Sequence, residues 1–310
     1  MSLITVIIPT YNNSKYICQA IESVLAQTFN NFEIIVIDDG STDNTRSLLN
    51  KFNSQIRYIY QNNQGPASAR NNALKFVKSD YICFLDSDDL WSNDYLNKSF
   101  NYLLNNNLDL IITDYFVDYY DSNDKFLKRE PKTRCDFIID NNKQLYEQLF
   151  KRFQGGFDGT SAILMRKQRF EIIGKFDEKL KILEDWDLWL RIAKNNLKIG
   201  YLKEPLFVYR RHNNSLCRNK ANTALKFNNI YYAFEKNKKD AFKINKSLKK
   251  NYSETLMMLG VDTILTRFNI LFAIKCIWKS HFFLYYKEYI PKIKNFWCIF
   301  KQTNSRCESI

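Results

Sequence analysis

The 310-residue sequence predicts an α/β fold: a Rossmann-like, mostly parallel sheet flanked by helices, followed by a helical extension. Three observations carry that expectation. Up to about residue 90, β-branched and aromatic runs alternate with helix-period stretches, the pattern of strand-helix-strand units that lie parallel. Successive apolar runs stop abruptly at polar or acidic residues, as at Asp38-Asp39-Gly40-Ser41 and Asp86-Ser87-Asp88-Asp89. In an open α/β sheet such strand ends collect at one edge, where ligands bind. Beyond about residue 220 the pattern turns to helices rich in Lys, Asn and aromatics, so residues 1–215 and 216–310 are expected to be separate parts.

The elements follow in order. Residues 3–8 are a nearly continuous β-branched run, as expected of a strand covered on both faces. Ser14 is a candidate cap for a helix in which Ile17, Ala20, Ile21, Val24 and Leu25 recur at i, i+3, i+4, i+7 and i+8. Residues 32–37 repeat the buried-strand pattern, and a helix follows through Leu48, Leu49 and Phe52. Residues 56–60 read as a third strand, and Gly65-Pro66 opens a helix containing Ala69, Ala73, Leu74 and Val77. Residues 81–85 are the fourth strand, delivering Asp86, Asp88 and Asp89 to the edge. The bland alternative is that Asp88 or Asp89 caps a helix beginning near Trp91; Asp89 is the one left to that role.

Downstream the regularity weakens. A helix is expected over residues 95–104, a strand over 110–117, and a charge-rich surface excursion over 118–134. Leu145, Leu149 and Phe150 suggest a helix, and the glycine-rich connection 153–160 leads into a short strand and a helix through Ile173. Residues 180–191 bring a second acidic site, in which Asp185 shares a helix face with Leu188, Trp189 and Ile192. Ordinary readings there are an N-cap for Asp185 and an i, i+4 ion pair between Asp187 and Arg191. Residues 205–215 read as a strand ending in a cationic loop with His212, one of only two histidines; a lone histidine is more often structural than a ligand.

Charge and cysteine placement narrow the classes. Of the formal +13, residues 220–310 supply +11 (17 Lys/Arg against 6 Asp/Glu), leaving +2 for residues 1–219. A nucleic-acid partner is therefore not expected of the sheet domain, although the tail could touch phosphates. Seven scattered cysteines without a Cys-x-x-Cys pair suggest reduced thiols and a cytoplasmic setting. The first apolar run reads as a strand rather than a leader, and no run reaches the roughly 18–20 residues that span a bilayer. Residues 268–301 interleave aromatics with lysines, suiting either a helix on an anionic membrane surface or a subdomain packed on the sheet or on another copy in a homo-oligomer.

Paired carboxylates spaced Asp-x-Asp at a sheet edge suit a hard divalent cation bridging phosphate oxygens. Tyr11 can stack on a nucleobase, Asp39 can accept from a base or ribose, and Arg70 can steady a nucleotide. No P-loop lysine motif and no Gly-x-Gly-x-x-Gly fingerprint is present, which argues against ordinary kinases and dehydrogenases.

Five motifs in register, Val6-Ile7-Ile8-Pro9-Thr10-Tyr11-Asn12, Val36-Ile37-Asp38-Asp39-Gly40-Ser41-Thr42-Asp43, Ala67-Ser68-Ala69-Arg70-Asn71, Phe84-Leu85-Asp86-Ser87-Asp88-Asp89 and Leu183-Glu184-Asp185-Trp186-Asp187, together resemble the inverting family 2 glycosyltransferases of GT-A fold, of the bacterial glycan-assembly type. The resemblance covers roughly residues 1–215. It implies transfer of one sugar from a nucleoside-diphosphate sugar, a UDP-sugar being expected, to a glycan or lipid-linked saccharide, with Mn or Mg as cofactor. It further implies that Pro9, Thr10, Tyr11, Asp39, Arg70, Asp86 and Ser87 hold the donor. Asp88 would bind the metal, with His212 approaching the metal or the diphosphate, in a loop that also contains Arg210 and Ser215. Asp185 would be the general base, supported by Glu184. Ala73 stands where the family often has glycine. The expected location is the cytoplasm or the cytoplasmic membrane face. A nucleotidyltransferase, releasing pyrophosphate, and a nonenzymatic nucleic-acid binder are the alternatives.

Overall fold

The computed structural model describes residues 2–121, 123–134, 141–151, 159–212, 223–265 and 269–280. It divides into two compact units, residues 1–246 and 247–310. The first unit contains strands β1 (Ile4–Thr10), β2 (Phe32–Asp38), β3 (Arg57–Tyr60), β4 (Tyr81–Phe84), β5 (Leu90–Trp91), β6 (Leu110–Tyr120), β7 (Phe126–Lys132), β8 (Leu164–Arg166) and β9 (Ile199–Arg211). Its helices are α1 (Ile17–Leu25), α2 (Thr45–Leu49), α3 (Pro66–Leu74), α4 (Tyr95–Asn105), α5 (Asn142–Lys151), α6 (Lys167–Ile173), α7 (Glu184–Lys194) and α8 (Thr223–Ile244).

The described strands form one sheet in the order β3-β2-β1-β4-β8-β6-β9-β5, with β7 on the side of β6. β3, β2, β1 and β4 are parallel, Ile7 facing both Ile35 and Phe84. Every residue of β1 is buried, as its nearly continuous β-branched run leads one to expect. β8 runs antiparallel to both β4 and β6, and β6 is parallel to β9. Two reversals restore the original direction, so the carboxyl end of β9 lies on the same edge as the ends of β1, β2 and β4. This places His212, just past β9, on the acidic edge.

Several expectations need correction. The helix after the acidic cluster begins at Tyr95, with Asp94 as its cap residue. Leu90 and Trp91 instead pair with Val208 and Phe207 of β9. Asp89 caps nothing: its carboxylate accepts from Ser161 Oγ at 2.7 Å and from Arg210 N at 3.2 Å. A buried carboxylate takes whichever donors the sheet edge supplies, and these come from distant chain segments. Ser14 does not cap α1, which has Tyr16 at its cap position; the Ser14 N–H donates to Asp43. Residues 118–134 are mainly a continuation of the sheet: β7 pairs antiparallel with β6, and Arg129 bridges Asp118 at 2.6 Å.

The expected boundary at 215/216 does not coincide with the division at 246, because α8 packs into the first unit. Phe234 of α8 lies 4.9 Å from Phe150 and 5.1 Å from Trp186 between ring centroids. Asp187, fully buried, meets Arg191 at 2.9 Å and Lys236 at 2.8 Å and accepts from Asn237 Nδ2 at 3.1 Å. The i, i+4 pair read from the sequence is thus present, and α8 completes it. Replacing Asp187 with Ala is expected to destabilise the fold by about 1–3 kcal/mol, since it takes a fully buried acceptor away from the buried Asn237 amide and the half-buried Arg191. Urea unfolding measures it, and a loss under about 1 kcal/mol would contradict this account.

The second unit pairs α9 (Leu248–Leu265) with α10 (Ile270–Lys279). A Cβ at Gly260 would lie 2.5 Å from Ile277 Cγ1, so glycine allows their close approach. On α10, Leu271, Ile274 and Trp278 are exposed. Residues 281–301 of the aromatic segment, residues 153–158 of the glycine-rich connection and Ser215 lie outside the described residues. Cys83 and Cys276 are buried thiols and Cys18 is a half-buried one. No described helix is long and apolar enough to cross a membrane.

Candidate active site

At the ends of β1 and β2, hydrogen bonds interlock the loops. Asp39 N donates to Thr10 O at 2.8 Å, and Asn12 N donates to Ser41 Oγ at 2.9 Å while its side chain accepts from Thr42 N at 2.7 Å. The Asp39 carboxylate is buried and accepts from Gln61 Nε2 at 2.7 Å, Gln64 N at 2.9 Å and Gly65 N at 2.7 Å. It therefore fixes the loop between β3 and α3. Gly65 has φ +94°, a conformation that favours glycine, whereas the Lys181 side chain 2.9 Å from its Cβ position is flexible enough to move aside. Tyr11 is 50 % exposed beside this loop system, leaving its ring free to stack. Thr10 and Pro9 are buried in the end of β1, and the Thr10 hydroxyl has no partner in the structure.

The acidic loop after β4 is tied to its neighbours on both sides. Asn13 Nδ2 donates to Ser87 Oγ at 2.7 Å, joining the β1 and β4 loops at the point where strand order reverses. Ser161 Oγ accepts from Asp86 N at 3.0 Å. Asp86 Oδ1 lies 2.5 Å from Arg70 Nη2, and Arg70 Nη1 lies 2.7 Å from Glu184 Oε1. His212 Nε2 lies 3.1 Å from Asp88 Oδ2. Beneath them Arg210 donates through Nε to the Asp88 carbonyl and through Nη1 to Gln19, its Cζ 4.7 Å from the Tyr16 ring centroid. Burial, reinforced by Asp88 and Asp86, pushes the Asp89 carboxyl well above the usual range.

α7 carries the second acidic group. Leu183 at its cap position has φ +66°, turning the chain so that Glu184 and Asp185 enter the first helical turn. Asp185 is half-buried; Oδ1 accepts from Trp186 N at 2.7 Å and Oδ2 from Gly159 N at 3.2 Å. Its pKa is raised to about 7, first by desolvation and then by the neighbouring charge of Glu184, with Trp186 N and Arg70 opposing. Burial also raises Glu184, against the pull of Arg70. Gly159 has φ +70°, and its Cβ position lies 3.6 Å from Asp86 Oδ2. Gly159 thus touches the surroundings of both carboxylates.

The family described as glycosyl transferase family 2 matches residues 5–173, more than half of the chain. The chain belongs to glycosyltransferase family 2. A Haemophilus influenzae protein named only as an uncharacterized glycosyltransferase is 33% identical over 76% of this chain and 90% of its own length. A Bacillus subtilis protein with the provisional name teichuronic acid biosynthesis glycosyltransferase TuaG is 30% identical over 76% of this chain and 89% of its own. Against an uncharacterized Rickettsia felis glycosyltransferase, 34% identical, this chain spans only 31% of the relative's length. Among solved structures, S. aureus TarS 1-349 in complex with UDP-GlcNAc is similar with TM-score 0.57 at 18% identity, covering 91% of this chain and 73% of that one. A Pyrobaculum calidifontis mannosyltransferase with GDP-Man and Mn2+ is similar with TM-score 0.53 at 16% identity, covering 90% and 75%. At these identities the structures speak for the fold, which is the GT-A-like glycosyltransferase arrangement.

The matching family model is described as a glycosyl transferase, whereas the carboxylates alone left nucleotidyl transfer open as well. Arg70, Asp86 and Glu184 are joined by ion pairs, with Asp185 in the same charge cluster, and Asp88 meets His212. Asp39 stands apart from them in the β2 loop. Sequence reading missed Gln61, Gln64, Asn13, Ser161 and Gly159. Only Gly65 and the glycine-rich stretch before Thr160 carried a local signal; a glutamine or serine in a polar loop has none.

Proposed function

We propose that this glycosyltransferase moves one sugar, with inversion, from a UDP-sugar to a glycan or lipid-linked saccharide, using Asp185 as general base. The observation that supports it most is Asp185 itself. A half-buried carboxylate with a pKa near 7, in one charge cluster with Asp86, is suited to take a proton at neutral pH. Asp185 accepts the acceptor hydroxyl's proton; the oxygen attacks the anomeric carbon as the bond to the diphosphate breaks on the opposite face. Glu184, held by Arg70, keeps the first turn of α7 in place. Tyr11 stacks on the base, Thr10, Pro9 and Ser87 line the donor path, and Asp39 shapes the base loop while one lone pair remains to accept from a nucleobase. Asp86 Oδ2 contacts the ribose or sugar. The UDP-GlcNAc bound in the TarS structure and the name of TuaG favour a UDP donor and a polysaccharide acceptor.

Asp88 and His212 fit a divalent ion. Among the described residues no group of three or more His, Cys, Asp or Glu gathers; Asp88 and His212 would hold a Mn or Mg ion, a hard cation that accepts few protein ligands. When bound, the ion would neutralise charge accumulating on the leaving diphosphate. The Arg210 contact with the Asp88 carbonyl keeps that loop in register.

The test is a panel of nucleotide-sugars incubated with Mn and saccharide acceptors, with the anomeric configuration of the product read by NMR. Retention of configuration, or pyrophosphate release, would refute the mechanism. We also assign α10, with exposed Leu271, Ile274 and Trp278 and a basic surrounding sequence, to an anionic membrane surface. The full chain is expected to sediment with phosphatidylglycerol vesicles and release them in high salt, whereas a Leu271→Ser, Trp278→Ser variant should remain in the supernatant. Equal sedimentation of the two would remove the assignment.

A further inference from the structure

Arg70 stands in α3 with its side chain 4% exposed. Each of its terminal nitrogens is engaged: Nη2 by Asp86 Oδ1 at 2.5 Å and Nη1 by Glu184 Oε1 at 2.7 Å. Its Cζ sits 5.3 Å from the Phe176 ring centroid, and Nε is buried. Both terminal nitrogens thus already hold a carboxylate of the protein, and Nε has no hydrogen-bond partner in the structure. The two carboxylates it joins come from segments far apart in the chain, the β4 loop and the first turn of α7. Left without a cation between them, they would repel in a poorly solvated setting.

We propose that Arg70 is a positioning residue rather than a donor ligand: its guanidinium fork sets the separation between Asp86 on the donor side and the Glu184-Asp185 turn on the acceptor side. The proposal rests on the reading of Asp185 as base. Arg70 occupies only Oδ1 of Asp86, so Oδ2, the oxygen beside Gly159, remains for the sugar or ribose. A planar fork with donors in fixed directions can hold two carboxylates at once. A lysine ammonium is a point charge on a flexible stem and cannot reproduce that spacing. Displacement of a reacting group by about 1 Å costs on the order of 100-fold in rate, so loss of the fork should register in turnover.

The experiment compares wild type, Arg70→Lys, Arg70→Gln, Glu184→Gln and the charge-balanced Arg70→Gln, Glu184→Gln double variant, all as full chains. Calorimetry gives the affinity for the diphosphate of the working donor (UDP, GDP or dTDP), and steady-state assays give kcat and donor KM. Arg70→Lys is expected to lower kcat about 100-fold while donor KM and nucleotide affinity change less than about threefold. The double variant should be no slower than the worse single one, because both changes break the same bridge. Thermal unfolding identifies any variant that does not fold, and Arg70→Lys, which keeps the charge, carries the test if Arg70→Gln fails. A tenfold loss of nucleotide affinity at unchanged kcat would make Arg70 a donor ligand and overturn the proposal, as would unchanged kcat in folded Arg70→Lys. Retained transfer by Asp185→Asn would refute the base reading alone, leaving the Arg70 kinetics to be judged separately.

Discussion

Asp185→Asn is expected to lower transfer by about 10²–10⁴-fold, the usual contribution of a general base, with donor affinity nearly unchanged. Asparagine preserves the shape of the group and can still accept from Trp186 N, giving up only the longer bond from Gly159 N, so most of the loss would be chemical rather than architectural. In wild type, kcat/KM should fall tenfold per pH unit below about pH 7, because the proton acceptor must be ionised and its pKa is raised to about 7. The variant's residual rate should lack that limb. Stability should respond in the opposite sense. Since the folded-state pKa exceeds the usual carboxylate value of about 3.9, protonated Asp185 favours the fold, and this contribution disappears as pH rises through about 7. At pH 8 Asp185→Asn should consequently melt above wild type. Full turnover, or a pH limb that persists in the variant, would assign the base elsewhere.

Asp88→Asn is the second large effect. The substitution keeps a hydrogen-bonding partner for His212 but removes the negative charge that a divalent ion requires. The Mn-dependent part of nucleotide affinity should drop by at least about 100-fold, at or beyond the upper end of what losing an outer-shell partner costs. The metal-independent part should stay. Calorimetric titration of UDP with Mn and with a chelator separates the two, and transfer should fall in parallel. An undiminished Mn-dependent gain would exclude Asp88 as a ligand. Asp89 would be a misleading substitute for this test: it holds Ser161 and the Arg210 backbone, so its loss would disturb the loop itself.

The first four strands were legible because each is a short apolar run with punctuation at its end. The run of β1 is buried on every residue, and Asp39 and Asp86 stand just past their strands, as strand-end chemistry predicts. The first turn of α7 was legible for a similar reason: the acidic pair directly precedes a helix-period stretch of Trp and Leu. β5 was not, since two residues carry no periodicity, and it forms only because β9 lies alongside. β7 was not, because Phe126-Leu127-Lys128-Arg129-Glu130-Pro131-Lys132 has no apolar/polar alternation and all but one of its residues are exposed. α8 read as part of the tail because its composition resembles the tail; Asn237 and Lys236 reveal their attachment only through a buried Asp187 fifty residues away.

The order of residues therefore decided which groups stand at the strand ends: the threonine that ends β1 and the tyrosine after it, the aspartates after β2 and β4, the acids opening α7 and the histidine after β9. These are local matters of period and punctuation. Which charge meets which was decided only by the folded sheet. Arg70, an apparent nucleotide cation in the sequence, is enclosed between Asp86 and Glu184, and Asp89, an apparent cap, joins Ser161 to β9. A carboxylate or guanidinium withdrawn from water takes the partner that spatial proximity provides. That proximity is set by strand order and direction, which no local stretch of sequence encodes.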